Sequence, residues 1–310
     1  MKQINLSGMG VALITPFRAD NQVDYPALSR LVELHLTSGT DYLIVLGTTA
    51  ETPALSPEEQ KKIVQLVVAQ VDKKLPVVMG LGGNHTAALV QRLKTEDFTG
   101  VDAMLSVVPY YNKPSQEGIY QHYKALAEAT ELPIVLYNVP GRTGVNMTVD
   151  TCLRLAHEFE NIVAVKEASG NLTQISALLK NKPTGFQVIS GDDCLAFPAI
   201  ALGAVGVASV LGNAFPKAFA EMVHHALNGN HQQALPIHHN FAELMELLFV
   251  DGNPAGVKCV LATMGYCENV LRLPLVPVPL ATQEKILKYL NPDTPDSGKR
   301  GFFAKLFKRS

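Results

Sequence analysis

The stretch Asn161-Ile-Val-Ala-Val-Lys166-Glu-Ala-Ser-Gly170 begins as an apolar, β-branched run and ends in a turn of small residues. A run of this kind is typical of a strand that is covered on both faces, as in a parallel sheet. Lys166 is therefore expected at the carboxyl end of a buried strand. Partial burial disfavours the charged form of an amine, and a neutral amine is a nucleophile toward carbonyl carbon. Taken alone, a lysine at a strand end more often extends into water, so the reactive role of Lys166 depends on its context.

Two further apolar runs end in residues whose chemistry suits a reactive lysine. Pro133-Ile-Val-Leu-Tyr137 leads into a turn-rich loop that carries Arg142, and Tyr42-Leu-Ile-Val-Leu-Gly-Thr48-Thr49 ends in paired hydroxyls. A tyrosine can transfer protons, hydroxyls can hold a carboxylate, and an arginine can bind one with two hydrogen bonds. Each residue also has a purely structural explanation. Tyr137 could be a half-buried core ring, Thr48 a strand-end cap and Arg142 a surface charge. Their shared position after strands favours a common site.

Eight strand-like runs are present, and most are separated by segments with helical periodicity. This alternation predicts a parallel sheet, and eight repeats predict a closed (β/α)8 TIM barrel over residues 1–211, with its active site at the carboxyl ends of the strands. An open doubly wound sheet is the alternative. Its dinucleotide-binding form would prefer a Gly-x-Gly-x-x-Gly turn, which Leu81-Gly-Gly-Asn84 does not supply. The predicted strands are Val11–Pro16, Tyr42–Leu46, Val77–Leu81, Ala103–Val108, Ile134–Tyr137, Ile162–Lys166, Gln187–Ser190 and Gly206–Val210.

After the eighth run the pattern changes to helices alone. We expect residues 212–295 to form a helical extension beside the barrel, and residues 296–310, which are linker-like, then basic and aromatic, to form a flexible tail. The predicted helices of the extension are Phe215–Leu227, His231–Phe249, Pro254–Met264 and Gln283–Leu290.

Local signals mark several loop ends. Asp24 and Ser56 are each placed to cap a helix, and Ser56-Pro-Glu-Glu59 has the pattern of a capping box. A further helix is expected to begin at Ser115, after Pro114. Gly80-Leu-Gly-Gly83 lacks the Gly-Lys-Ser/Thr of a phosphate-binding loop, so it predicts a close approach of the backbone to other backbone or to substrate after the third strand. Asp192-Asp193 is interpreted as a carboxylate pair that caps the next helix.

The amino-acid composition argues against several classes of protein. The 310 residues are 47% hydrophobic with a net charge of −2, which gives no indication of nucleic-acid or anionic-membrane binding. The four cysteines form no Cys-x-x-Cys pair, which is typical of reduced, mostly buried thiols in a cytosolic protein. None of the nine histidines lies in a His-Glu-x-x-His pattern, so we expect no metal site. Without a signal peptide or a membrane-length apolar stretch, a cytoplasmic location is expected.

Five motifs, in order along the chain, resemble those of the dihydrodipicolinate synthase family of pyruvate-dependent class I aldolases. The resemblance extends from about Gly8 to about Leu290. It is highly specific for the superfamily, and nearly as specific for this family because of Arg142 and the Tyr110-Tyr111 pair. The motifs are Gly47-Thr-Thr-Ala-Glu51, Pro109-Tyr-Tyr-Asn-Lys-Pro114, Tyr137-Asn-Val-Pro-Gly-Arg142-Thr-Gly144, Val165-Lys166-Glu-Ala-Ser-Gly170 and Ser190-Gly-Asp-Asp193.

The resemblance implies a lyase that condenses pyruvate with L-aspartate 4-semialdehyde through a lysine Schiff base. The product, 4-hydroxy-tetrahydrodipicolinate, enters lysine and diaminopimelate biosynthesis. It implies no metal or organic cofactor, because the pyruvate imine on Lys166 supplies the electron sink. It also implies a homotetramer, a dimer of dimers. The implied catalytic residues are Lys166, Tyr137, Thr48 and Tyr111, the last acting in a neighbouring subunit's site, and the implied substrate-binding residues are Thr49, Arg142, Ala208 and Gly191.

The chain departs from the family pattern at several positions. Ala50 replaces a usual glycine, and Ala208 replaces a larger aliphatic residue. The lysine-inhibited members typically have a histidine where this chain has Gln60 and a glutamate where it has Ala88. Loss of that glutamate leaves the ammonium group of a lysine ligand without its carboxylate. We therefore expect inhibition by lysine to be weak or absent.

Two other functions compete with this interpretation. Another aldolase of the superfamily, such as an N-acetylneuraminate lyase or a 2-keto-3-deoxy sugar-acid aldolase, would keep Lys166 and Tyr137 but would not need Arg142 in this loop. A catalytically silent barrel that binds pyruvate as a regulator would not need the lysine, tyrosine and threonine set together.

Overall fold

The computed structural model describes residues 4–291, in which eight parallel strands close into one barrel in chain order. This confirms the predicted TIM barrel. The predicted tail at residues 296–310 lies outside the described residues. The strands are β1 (Gly8–Ala12), β2 (Tyr42–Val45), β3 (Val77–Gly80), β4 (Ala103–Val107), β5 (Ile134–Asn138), β6 (Ile162–Glu167), β7 (Gln187–Ser190) and β8 (Gly206–Ser209).

Helices alternate with the strands and then continue alone after β8, which confirms a C-terminal helical extension. The last helices, α9 to α12, agree with the four predicted segments to within three residues at each end. The helices are α1 (Tyr25–Thr37), α2 (Pro57–Val71), α3 (Thr86–Thr95), α4 (Gln116–Ala127), α5 (Pro140–Thr143), α6 (Val149–Glu158), α7 (Leu172–Asn181), α8 (Ala196–Ala201), α9 (Pro216–Leu227), α10 (His231–Leu247), α11 (Ala255–Thr263) and α12 (Leu280–Leu290).

Side chains alternate between two buried layers along each strand. In β6, Ala164 packs with Tyr42 and Ile189 inside the barrel, whereas Val165 packs in the layer between the strands and the helices. Both faces of the strand are therefore apolar, which explains the continuous apolar run in the sequence. The alternation places Lys166 on the same face as Ala164, toward the barrel interior.

The position of β1 differs from the prediction by three residues at its start and by four at its end. The prediction of Val11–Pro16 was based on the apolar residues there, whereas the observed strand spans Gly8–Ala12. β1 pairs with β8 through Gly8 and Gly206, and glycine gives no hydrophobic signal. Residues after Ala12 remain buried in a loop, because burial alone does not require strand geometry.

The predicted caps are confirmed. Asp24 accepts a hydrogen bond from a backbone amide in the first turn of α1, and Ser56 and Glu59 form a complete capping box at α2. Helix α4 begins after Ser115, as expected, and the Ser115 side chain also caps it. The close backbone approach at Gly80 is also confirmed, since an added Cβ there would lie 2.1 Å from the carbonyl oxygen of Leu46.

The interpretation of Asp192-Asp193 as a helix cap is wrong. Helix α8 begins after Leu195 and has no side-chain cap. The Asp193 carboxylate instead accepts hydrogen bonds from the backbone amides of Val210, at 3.0 Å, and Leu211, at 2.8 Å. Burial raises the pKa of Asp193 to about 6, with hydrogen bonds to its carboxylate opposing the shift. Asp193 therefore connects the β7 loop to the end of β8, a contact between separate segments of the chain.

A buried ion pair attaches the helical extension to the loop after β2. The Nζ atom of Lys258 lies 2.5 Å from Oε1 of Glu51, and both side chains are almost completely buried. Lys258 also donates to the carbonyl of Val270, and the backbone amide of Arg272 donates to Glu51. Burial lowers the pKa of Lys258, and the Glu51 carboxylate opposes that shift. The loop after β2 is thus held by residues that follow it by more than two hundred positions.

None of the helices described within residues 4–291 is both long enough and apolar enough to cross a membrane.

The buried pair gives a test of the fold. We expect Lys258→Met to destabilise the protein by about 3–5 kcal/mol, because the Glu51 carboxylate would remain buried without its cation. The double variant Glu51→Gln with Lys258→Met should lose less than the single variant, because no charge is then left unpaired. The measurement is the free energy of unfolding in urea at one fixed protein concentration. Equal losses in the two variants would contradict an ion-pair origin.

Candidate active site

A cleft of about 540 Å³ opens at the carboxyl ends of the strands. Thr48 from the β2 loop, Tyr137 from β5 and Arg142 from the following loop all line it. The structure therefore brings together residues that lie far apart in the sequence. The extension also contributes to the lining, through Asn253 and Leu273.

Lys166 lies deeper, near the end of β6. Its side chain is 6% exposed, and Nζ lies 4.6 Å from the centroid of the Tyr137 ring. The two residues are direct partners in the β5–β6 register. Within residues 4–291, no hydrogen bond or ion pair is formed by its Nζ atom. An amine that is held by packing, without a carboxylate partner, is available to react with a bound carbonyl group.

Gly191 leaves room for the lysine side chain. A Cβ atom added at this position would lie 2.6 Å from Cβ of Ala168 and 3.0 Å from Cε of Lys166. Real Cβ contacts of 2.6 Å essentially do not occur, so a larger residue would displace its neighbours. Gly191 therefore contributes by its lack of a side chain.

A polar network on the opposite face of β5 and β6 fixes the ends of these strands. The Asn138 amide donates to both carboxylate oxygens of Glu167, at 3.2 and 3.0 Å, and to Oδ1 of Asn146 at 2.7 Å. Gln174 donates to Glu167 at 2.9 Å. This network was not predicted from the sequence. The available signal was the strand alternation, because residues next to Tyr137 and Lys166 must face the helices, where polar groups need partners.

Arg142 is exposed and belongs to the four-residue helix α5, which ends at Gly144 with φ of +74°. Asn138 holds the far end of this loop, since its Oδ1 accepts from the backbone amide of Met147 at 2.9 Å. The guanidinium forms no ion pair with any residue from 4 to 291. Arg142 is therefore a free cation at the mouth of the cleft, where an anionic group of a ligand could bind.

Thr48 and Thr49 lie in a single 3₁₀ turn, Thr48–Ala50, directly after β2. Thr48 is partly exposed in the cleft, whereas Thr49 is buried and its Oγ1 accepts from Nδ2 of Asn253 at 2.9 Å. The turn tolerates Ala50 because the left-handed backbone conformation falls on Glu51, with φ of +55°. The substitution of the usual glycine thus causes no backbone strain at residue 50.

Tyr111 and Ala208 do not line this cleft. Tyr111 is 89% exposed and has φ of +73°, an uncommon conformation for a residue with a side chain. Its neighbour Tyr110 lines the cleft instead. Ala208 is buried inside the barrel, where it and Lys166 border a void of about 10 Å³.

The part of the chain that the structure describes holds no group of three or more His, Cys, Asp or Glu side chains suited to a metal ion. Its four cysteines are free thiols, of which Cys152 and Cys259 are buried and Cys194 and Cys267 are partly buried.

Protein-family models, related sequences and solved structures all match this chain to dihydrodipicolinate synthases. The family model of the dihydrodipicolinate synthetase family matches residues 5–292. A 4-hydroxy-tetrahydrodipicolinate synthase from Parabacteroides distasonis is 64% identical over 290 residues, or 94% of this chain and 98% of that protein. The crystal structure of dihydrodipicolinate synthase from Aquifex aeolicus has a TM-score of 0.89 at 42% identity, and covers 92% of this chain and 97% of its own. A monomeric dihydrodipicolinate synthase variant has a TM-score of 0.89 at 41% identity, with coverages of 92% and 95%.

The close approach at Gly191 can be tested directly. We expect Gly191→Ala to slow covalent trapping of pyruvate at Lys166 by about tenfold or more, because displacement of the amine by about 1 Å is costly. The measurement is the rate of adduct formation with borohydride, followed by mass spectrometry. Gly83→Ala is the matched control, since an added Cβ there meets Leu89 at an ordinary 3.8 Å. Equal rates in both variants would show that the contact is unimportant.

Proposed function

The chain belongs to the dihydrodipicolinate synthetase family, and we propose that it condenses pyruvate with L-aspartate 4-semialdehyde to form 4-hydroxy-tetrahydrodipicolinate. This reaction supplies lysine and diaminopimelate biosynthesis. The observation that carries the proposal is the unpaired amine of Lys166, which lies against the Tyr137 ring beneath a cleft lined by Thr48 and Arg142.

Lys166 begins the chemistry as a nucleophile. Its amine attacks the keto carbon of pyruvate, and loss of water gives an iminium ion. The iminium withdraws electrons, so the methyl group loses a proton and an enamine forms. The enamine carbon attacks the aldehyde carbon, whose oxygen takes up a proton. The amine of the semialdehyde then displaces Lys166 from the imine, which closes the ring and releases the enzyme. Neither a metal nor an organic cofactor is required for these steps.

Three hydroxyl groups are proposed to move the protons. Tyr137 would act at the imine, and Thr48 and Tyr111 would complete a relay with it. Tyr137 and Thr48 already line the cleft of this chain. The 89% exposure of Tyr111 and its left-handed backbone support a role in the site of a second copy. Residues in unusual backbone conformations often have functional roles, which makes Tyr111 a suitable candidate.

The remaining site residues are proposed to bind the two substrates. Thr49 and the β8 segment at Ala208 would form the pocket for the pyruvate carboxylate, and Gly191 would keep space beside the reacting lysine. Arg142 would bind the carboxylate of the semialdehyde through two hydrogen bonds. Its position at the cleft, without an ion-pair partner within the described chain, supports a second substrate that carries a carboxylate.

We further propose a cytoplasmic homotetramer built as a dimer of dimers. The exposed Tyr111 supports the first of its two interfaces, because this side chain has no place in the cleft of its own chain. The monomeric variant among the related structures indicates that this fold does not by itself require assembly.

The proposal is tested with purified protein, pyruvate and aspartate semialdehyde, with product formation coupled to a reductase. Borohydride added with pyruvate alone should trap an adduct on the peptide that contains Lys166. Lys166→Arg should lose the adduct and most of the turnover, because a guanidinium group stays protonated and cannot attack a carbonyl carbon. An adduct on another lysine, or turnover that survives in Lys166→Arg, would refute the mechanism.

Arg142→Ala separates the two half-reactions. We expect the apparent affinity for the semialdehyde to fall by roughly ten- to a hundredfold, because a charge-assisted pair is lost. Imine formation with pyruvate alone should change little, since the semialdehyde carboxylate takes no part in it. Steady-state kinetics measure the first effect and borohydride trapping measures the second. Equal damage to both steps would instead indicate a structural role.

A further inference from the structure

Asn253 is a buried residue of the helical extension that reaches the site. It lies just before α11, its side chain is 5% exposed, and it lines the cleft. Its Nδ2 atom donates a hydrogen bond of 2.9 Å to Oγ1 of Thr49. The two residues are 204 positions apart, so the contact exists only because the extension packs over the loop after β2.

This hydrogen bond determines in which direction the Thr49 hydroxyl can donate its hydrogen. A hydroxyl carries one hydrogen and can also accept hydrogen bonds. Here its oxygen accepts from Asn253, so the hydroxyl hydrogen must point in another direction. Within residues 4–291, Oγ1 of Thr49 has no other hydrogen-bond partner. The hydrogen therefore has no acceptor among the described residues.

The chain segments that carry Asn253 and Thr49 are also joined close to this bond. Glu51, two residues after Thr49, is held by the Lys258 amine at 2.5 Å and by the backbone amide of Arg272 at 3.0 Å. The segments on both sides of the Asn253–Thr49 bond are thus joined by the same buried Glu51–Lys258 pair. In contrast, Oδ1 of Asn253 is buried and has no partner among the described residues. Unsatisfied buried polar atoms are uncommon in folded proteins and frequently mark functional sites.

We propose that Asn253 is a positioning residue that makes Thr49 a hydrogen-bond donor to the pyruvate carboxylate. The amide donates to Thr49, and Thr49 in turn donates to the anion. Asn253 thereby controls how tightly pyruvate is held for attack by Lys166, without contacting the reacting atoms. This inference rests on the proposed function, because it takes pyruvate as the ligand and Thr49 as part of its carboxylate pocket.

Asn253→Asp is the most informative variant, because it keeps the shape of the side chain and reverses its hydrogen bonding. A carboxylate can only accept, so Thr49 would donate to the introduced carboxylate and not to pyruvate. We expect the pyruvate concentration that half-saturates borohydride trapping to rise by roughly ten- to a hundredfold. The maximal trapping rate should change much less, since Lys166 itself is not moved.

A double-mutant cycle tests whether Asn253 affects pyruvate binding through Thr49. Asn253→Ala and Thr49→Val should each raise the half-saturating pyruvate concentration. In the Thr49→Val background, Asn253→Ala should add less than about twofold, because the hydroxyl that it positions is already absent. Circular dichroism and the unfolding midpoint check that each variant is folded. If Asn253→Asp does not fold, the cycle decides the question alone.

The outcomes separate the two proposals. The positioning role would be overturned if the folded Asn253 variants had the same half-saturating pyruvate concentration as the wild-type protein. It would also be overturned if the effects of Asn253→Ala and Thr49→Val on that concentration were additive. In either case wild-type protein would still form its adduct on Lys166. Failure of the wild-type protein to form that adduct would instead refute the proposed function.

Discussion

Alternation of side chains along β6 is the constraint on which the site depends. Lys166 faces the barrel interior and Glu167 faces the helices, because successive residues of a strand point to opposite sides. The inward face leaves the amine against the Tyr137 ring without a carboxylate partner among the described residues. The outward face binds Glu167 to Asn138 and Gln174, which fixes the neighbouring strand and the loop that carries Arg142. One strand thus separates a reactive group from the polar network that supports it.

The helical extension has a direct role in the site. Burial of Lys258 and Glu51 removes two charges from water, a cost that is recovered only if their geometry and hydrogen bonding are good. Here the pair lies at 2.5 Å, and Glu51 also accepts from Arg272. The pair fixes the extension against the loop after β2, and Asn253 reaches Thr49 from the same junction. The barrel and the extension therefore form the cleft together.

Over residues 4–291, the cleft offers donors and a free cation, while the two nearby carboxylates are engaged elsewhere. Glu51 is occupied by Lys258, and Glu167 is turned toward the helices. An amine with no carboxylate beside it and an exposed guanidinium together suit two anionic substrates that meet at one nucleophile. Tyr111 stands apart, because it is exposed and outside the cleft of its own chain. Its proposed contribution therefore depends on a second copy, whereas that of Asn253 comes from the chain itself.

The sequence by itself determined the number and order of the eight strands, the helix caps at Asp24 and Ser56, and the strand ends that carry Thr48, Tyr137 and Lys166. These features depend on local periodicity and capping, which act over a few neighbouring residues. Only the tertiary structure decided the partners of Asp193, the Glu51–Lys258 pair and the Asn253–Thr49 bond. Each of these joins separate segments of the chain, and an isolated Asn or Asp in a sequence carries no information about which distant backbone or hydroxyl group it will meet. Their geometry is set by closure of the barrel and by packing of the extension against it.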